Sequence, residues 1–163
     1  MEPAADLAAQ LNHLDGRDEY LRAASELLLR LFPSDHAAWN DVDARTRYSD
    51  VRVYPELTGV DIPKMLLDLF AVHPAVISFR REPSDGLRRL SDLVSDSQLY
   101  QTRAFREGLS RLEVNRQLIF LTSDLSPYRF TGWSMNRWPN DFSDAEVELA
   151  RRIQPVLRLL EQA

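Results

Sequence analysis

Histidine and acidic side chains gather early in the chain, where His36 stands beside Asp35 and is followed by Asp41 and Asp43. Imidazole and carboxylates at close range are the donors a divalent metal takes. The spacing speaks against that use. Residues 36–43 read as a strand, and alternation sends Asp41 and Asp43 to the face opposite His36. His13 and His73 stand alone, and no histidine pair has the i, i+4 spacing of a helical zinc site. A structural role is expected for His36 and a helix-start role for His73. Serines are frequent, yet none sits in a Gly-x-Ser-x-Gly elbow, and no glycine-rich phosphate loop is present. The chain has no cysteine, which removes thiolate nucleophiles, zinc thiolates and disulfides. No enzyme activity, metal or cofactor is expected.

What remains is recognition. Trp39, Phe70, Ile77, Tyr100, Phe120 and Trp133 could wall a small-molecule pocket, with Tyr100, the indoles and Asn136 as its polar groups. The alternative is plain core packing, the usual employment of buried aromatics. Asn136-Arg137 and Asp141 form a polar cluster at a strand end. An Arg–carboxylate pair pinning the entry to the last helix is the favoured reading, and ligand or partner recognition by Arg137 is the other.

These side chains must be held by one core. At 163 residues, 44% hydrophobic and 28% charged, the chain reads as a single domain over residues 1–163. The net charge is −5, Lys64 is the only lysine, and the arginines are scattered among acids. That is a poor footprint for nucleic acid, so none is expected to bind through this segment. No apolar run approaches the roughly 20 residues of a membrane helix. The acidic N-terminus lacks the features of a signal peptide, and a cytoplasmic location is expected.

Leu7, Leu11 and Leu14 mark a first helix, interrupted at Asp15-Gly16, with Asp15 the expected cap of a second. Tyr20, Ala24, Leu27, Leu28 and Leu31 carry that second helix to Pro33. Strands over 36–43 and 48–54 form a hairpin ended by Pro55. Asp61 caps a helix through Phe70, and His73-Pro74 breaks it and starts another turn. Residues 80–90, charged and holding Pro83 and Gly86, predict an exposed mobile loop and the best candidate for a lid. Ser95 and Gln98 form a capping box for a helix through Leu109. The unbroken apolar run Leu118–Leu121 predicts a strand covered on both faces. A return strand over 128–137 has Gly132 at its middle, where a bulge or close backbone approach is expected. Ser143 and Glu146 cap a last helix, in which Pro155 predicts a kink. Leu149, Ile153, Val156 and Leu160 follow a seam spacing on that helix. With the stripe that includes Leu28, this seam could pack within the chain or across a two-fold axis, and a homodimer is expected.

The order helix, two strands, helical insert, two strands, helix is that of a GAF-like sensory domain. The segments 35–43, His73-Pro74, Leu90-Ser91-Asp92-Leu93, Met135-Asn136-Arg137, Asn140-Asp141-Phe142-Ser143 and Ile153-Gln154-Pro155-Val156-Leu157 make the match more specific. Over roughly residues 20 to 160 the chain resembles the N-terminal GAF-like domain of LuxR-type helix-turn-helix transcriptional regulators. The resemblance implies a GAF/PAS-like α/β (α+β) fold, an antiparallel sheet sandwiched between terminal helices and a helical insert. It also implies a regulatory role. The helix-turn-helix that usually follows does not occur before Ala163, so DNA binding is not carried over. Two functions follow: a sensor that binds a small molecule between sheet and insert and relays it through the terminal helices, or a ligand-free dimerisation module.

Overall fold

The computed structural model describes residues 2–124 and 126–162. The two N-terminal apolar stripes form helices α1 (Pro3–Leu11) and α2 (Arg17–Leu31). Gly16, not Asp15, occupies the cap position of α2, at a φ of 89°. A Cβ is penalised in that left-handed region, which is why the glycine takes the corner. Strands β1 (His36–Asp43) and β2 (Tyr48–Tyr54) form the expected hairpin.

The insert starts with α3 (Ile62–Leu69), where the Asp61 side chain accepts from the Lys64 backbone N–H. A 3-10 turn over Phe70–Val72 leads to α4 (Pro74–Arg81), capped by His73. The exposed loop expected over 80–90 is shorter, confined to residues 82–86. Arg80 and Arg81 finish α4, and Leu87–Arg89 form an edge strand, β3, with Leu87 buried. Arg88 is fastened by bonds to Ser78 Oγ (2.8 Å) and the Glu82 carbonyl (2.6 Å), and lies over the Phe79 ring. These contacts tie β3 to the end of α4. The short helices α5 (Leu90–Leu93), α6 (Asp96–Gln101) and α7 (Arg103–Glu107) follow. The continuous helix read through Leu109 is broken because the Thr102 hydroxyl caps α7 by accepting from the Phe105 N–H, diverting the backbone at that point. A 3-10 turn over Leu109–Leu112 ends the insert.

Strands β4 (Arg116–Leu121) and β5 (Arg129–Arg137) complete a five-stranded antiparallel sheet in the order β2-β1-β5-β4-β3. Helix α8 (Asp144–Gln162) closes the chain and runs unbroken through Pro155. Period-two alternation divides the sheet into two apolar faces. Ala37, Trp39, Leu118, Phe120, Trp133 and Met135 join α1, α2 and α8 in the larger core. Val42, Leu121 and Phe130 join α4 and the neighbouring turn, with Ile119 packed alongside, in the second. The Leu118–Leu121 segment therefore lies in the middle layer, covered on both sides. The pairing at Gly132 is regular, so there is no bulge. The glycine instead permits a close approach, since an added Cβ would collide with the Phe120 carbonyl and lie 2.7 Å from Leu121 Cα.

Candidate ligand cavity and the anchoring of the last helix

Between the sheet and the insert lies an apolar cavity of about 130 Å³. Its floor is the insert-facing side of β1, β2, β4 and β5, and its roof comes from α3, α4 and the turns that follow α3 and α7. No Asp, Glu, Lys or Arg occurs among its described lining residues. Polarity enters through Asn40, Gln117, Ser134 and Asn136 from the sheet and His73 from the insert. A surface cleft of about 350 Å³ along β2 shares Val51, Val53, Leu57 and Ile62 with the cavity.

His73, Gln117 and Asn136 are ordered by a chain of hydrogen bonds. The Ala75 backbone N–H donates to His73 Nδ1 at 3.0 Å, so that nitrogen carries no proton. His73 Nε2 must then hold the proton and donate to Gln117 Oε1 at 2.9 Å. Gln117 Nε2 in turn donates to Asn136 Oδ1 at 3.0 Å. The orientation of both amides follows from the histidine tautomer, and the Asn136 amide NH₂ is left as a donor. Burial pushes the His73 pKa down, and the Gln117 bond only partly opposes it. The imidazole is therefore neutral at pH 7, and the wall is polar without being charged.

On the other side of the sheet the last turn of α8 is fastened through Glu161. Trp39 Nε1 (3.1 Å) and Thr122 Oγ1 (2.6 Å) donate to its Oε1. Trp133 Nε1 (2.9 Å) and Tyr20 Oη (2.7 Å) donate to its Oε2. Burial, reinforced by the neighbouring carboxylate, pushes the Tyr20 phenol far above its ordinary value, so it stays a donor. Gln154 Nε2 and Gln162 Nε2 add bonds to the carbonyls of Leu121 (2.9 Å) and Thr122 (3.0 Å). At the start of α8, Arg137 pairs with Glu146, donates to the carbonyls of Pro33 (2.7 Å) and Asp141 (3.0 Å), and stacks on Phe142. The expected Arg–carboxylate pin is there, with Glu146 in place of the Asp141 side chain. Burial alone would raise the Glu146 carboxyl, but the bonds from Arg137 and Ser143 hold it below the usual range.

Of the recognition residues read from the sequence, Phe70, Trp133 and Asn136 border the cavity. Trp39, Ile77, Tyr100 and Phe120 do not. Trp39 and Phe120 point to the terminal helices because they share the face of Trp133 and Leu118, and strand alternation forbids both faces at once. The Trp133 indole likewise points that way, toward Glu161. Tyr100 is 39% exposed, accepts from Asn115 Nδ2 and packs on Phe105. Ile77 is partly buried on α4. The seam residues Leu28, Leu149, Ile153, Val156 and Leu160 all lie in or against the larger core of the same chain. Their surface is thus used within one chain, and Leu159, 74% exposed, is the large apolar side chain that α8 presents outward.

Sequence reasoning missed His73, Gln117, Asn40 and Ser134 as cavity residues, and Glu161 altogether. Glu161 carried one signal. An acidic side chain in the last turn, where no basic residue balances it, opposes the helix dipole and asks for a compensating partner.

No protein-family model matches the chain, and no curated protein sequence does so either. Solved structures do. The VqsR LBD domain from Pseudomonas aeruginosa superposes with a TM-score of 0.72 at 17% identity, over 98% of this chain and 90% of that one. The N-acylhomoserine lactone dependent LuxR-family transcription factor CepR2 from Burkholderia cenocepacia gives 0.64 at 9% identity, over 98% and 92%. The GAF domain of the cyanobacteriochrome TePixJ gives 0.53 at 17% identity, over 94% and 96%. The chain thus has the fold shared by GAF domains and by the ligand-binding domains of LuxR-family regulators. These neighbours are regulator domains rather than enzymes, and no single helix among the described residues is long and apolar enough to cross a membrane.

Proposed function

We propose that this chain is the sensory domain of a transcriptional regulator, binding a small, uncharged, largely apolar molecule between sheet and insert and relaying it through the terminal helices. The observation that carries the reading is the cavity itself: apolar walls, no charged lining residue among those described, and a few uncharged polar groups, three of them ordered through His73. Taking an unpaired charge into such a site costs several kcal/mol, which selects against carboxylates, phosphates and amines. Its volume is close to the roughly 150 Å³ of a cavity that accepts benzene. It is below the roughly 300 Å³ at which drug-sized pockets begin, so a longer ligand requires the insert to move outward. The likeness to an N-acylhomoserine lactone dependent factor supports a neutral amphiphile as the class.

Thermal denaturation with hexanamide, hexanoate and hexylamine tests the reading. These probes share a chain length and differ in charge. Hexanamide should raise Tm, while the two ions leave it unchanged. A preference for either ion, or no response to any of the three, would sink the proposal. The second reading, a ligand-free dimerisation module, rests on the exposed Leu159. Sedimentation of wild type and Leu159→Glu checks it: a dimer dissociated by the substitution supports it, and a monomer in both removes it.

A further inference from the structure

We propose that Tyr20, Trp39, Thr122 and Trp133 form a carboxylate socket whose occupant is Glu161, and that filling the cavity on the opposite face tightens the hold of this socket on the end of α8. The second half of the proposal rests on the sensory reading above; the socket itself does not.

The socket is a built recognition site. Four donors, from α2, β1, β5 and the residue that follows β4, divide evenly over the two carboxylate oxygens, at 2.6–3.1 Å. Two of them are indole N–H groups, which can donate but not accept, so a carboxylate suits them and a second donor does not. No cation pairs with Glu161 among the described residues, so its charge is balanced by these bonds alone. Its seat is also intrinsically unfavourable. A negative charge at a helix C-terminus meets the negative end of the backbone dipole. Terminal turns open at small free-energy cost. The last turn of α8 therefore has two available conditions, seated and frayed, and the socket bonds decide between them.

The same short stretch of sheet serves both sites. Leu121, Gly132 and Trp133 line the cavity. From the other side, the Leu121 carbonyl holds Gln154, Thr122 holds Gln162 and Glu161, and the Trp133 indole holds Glu161. Gly132 and Leu121 are opposed in the ladder, so close that no Cβ fits at Gly132. Motion of one strand is thereby passed to the other. An unfilled cavity leaves these residues short of packing partners on one side. A guest supplies them, stiffens the Leu121–Gly132 pair and restricts the frame from which the socket donors project.

Nuclear magnetic resonance of the full chain tests both halves. The probe is benzene, and the readouts are cavity methyl groups (Ile119, Leu121), the indole N–H signals and amide exchange over residues 157–162. Trp138→Phe identifies the exposed third indole. Glu161→Gln should speed amide exchange over 157–162 about tenfold, the effect of losing roughly 1.4 kcal/mol of bonding. It should also shift the Trp39 and Trp133 indole signals. Thr122→Val should act in the same direction and less. Benzene should shift the methyl groups and slow exchange over 157–162 at least about fivefold, the lower end of typical coupling between sites. Because the same strand pair joins the two sites, the reciprocal arm is also expected: Glu161→Gln should itself perturb the cavity methyl groups. Unchanged exchange and indole signals in Glu161→Gln would overturn the socket. Methyl shifts with benzene but none in α8, or cavity methyl groups blind to Glu161→Gln, would overturn the coupling. Absence of any benzene effect counts against the sensory reading, while the reciprocal arm still decides the link.

Discussion

On the terminal-helix face of the sheet, Trp39, Phe120 and Trp133 are at most 5% exposed, and the polar atoms of the two indoles share the Glu161 carboxylate. On the insert face, the same strands present smaller or polar side chains, among them Ala38, Asn40, Gly132, Ser134 and Asn136, and a cavity of about 130 Å³ is left above them. The coverings differ in kind. The filled face lies under three helices, two of them 15 and 19 residues long. The hollow face lies under segments of 3 to 8 residues joined by turns. Long helices bury continuous stripes and pack densely, whereas short ones leave gaps between their ends. Rigidity and room are thus assigned to opposite sides of one sheet.

The sharpest check of this contrast uses adjacent residues of β4. Leu118→Ala, on the filled face, should cost about 2–5 kcal/mol, the usual range for a buried leucine. Ile119→Ala, partly buried beside the cavity, should cost less than about 2 kcal/mol, because part of its surface already lacks partners. Equal costs in chemical denaturation would break the contrast. Next in size, Gly132→Ala should destabilise by about 1–3 kcal/mol, since its Cβ meets backbone that only strand separation can move aside. A neutral result in the same denaturation series would show that the β4–β5 approach is slack. A smaller effect of opposite sign is expected from Ala38→Val, which adds two methyl groups facing the cavity. It should stabilise by about 0.5–2 kcal/mol and abolish the hexanamide response in the same melting experiment. The smallest effect is that of pH. The folded-state pKa of His73 is lowered, so the unfolded chain binds its proton more readily. Its contribution is complete above about pH 6.5 and is lost as pH falls through the depressed folded value. Melting temperature should decline over that window in wild type. The decline should be reduced in His73→Asn, where an asparagine keeps the helix cap without a titrating ring.

Much of the fold is legible in the residues because periodicity, caps and prolines mark it locally. Asp61, the Ser95–Gln98 box and the alternation in 48–54 each act within a few residues of where they stand. The site was less legible for a physical reason. The central strands are buried on both sides, so their side chains lack the polar–apolar contrast that labels a face. Trp39 and Trp133, both expected in a pocket wall, stand opposite each other across β1 and β5, but nothing local says whether they face the insert or the terminal helices. Likewise β3 is three residues long and exists because Leu87 and Arg89 find Phe120 and Leu118 across the sheet. Such pairings are long-range facts. Gln117 and His73 belong with them, 44 residues apart and joined by a single bond.

The adjacency of β1 and β5 has a consequence for how the molecule is made. His36 lies against Asn136 and Asp43 against Arg129, so the middle strand and its neighbour β1 are separated by most of the chain. On a ribosome, everything up to Leu121 can emerge while the centre of the sheet is still missing. Until β5 is threaded between β1 and β4, neither apolar face is continuous, and the early hairpin and the insert have no shared surface to condense upon. Folding should therefore be slow for a chain of this size, as high sequence separation between contacts dictates, and a nascent chain halted before Arg137 should be a client for chaperones.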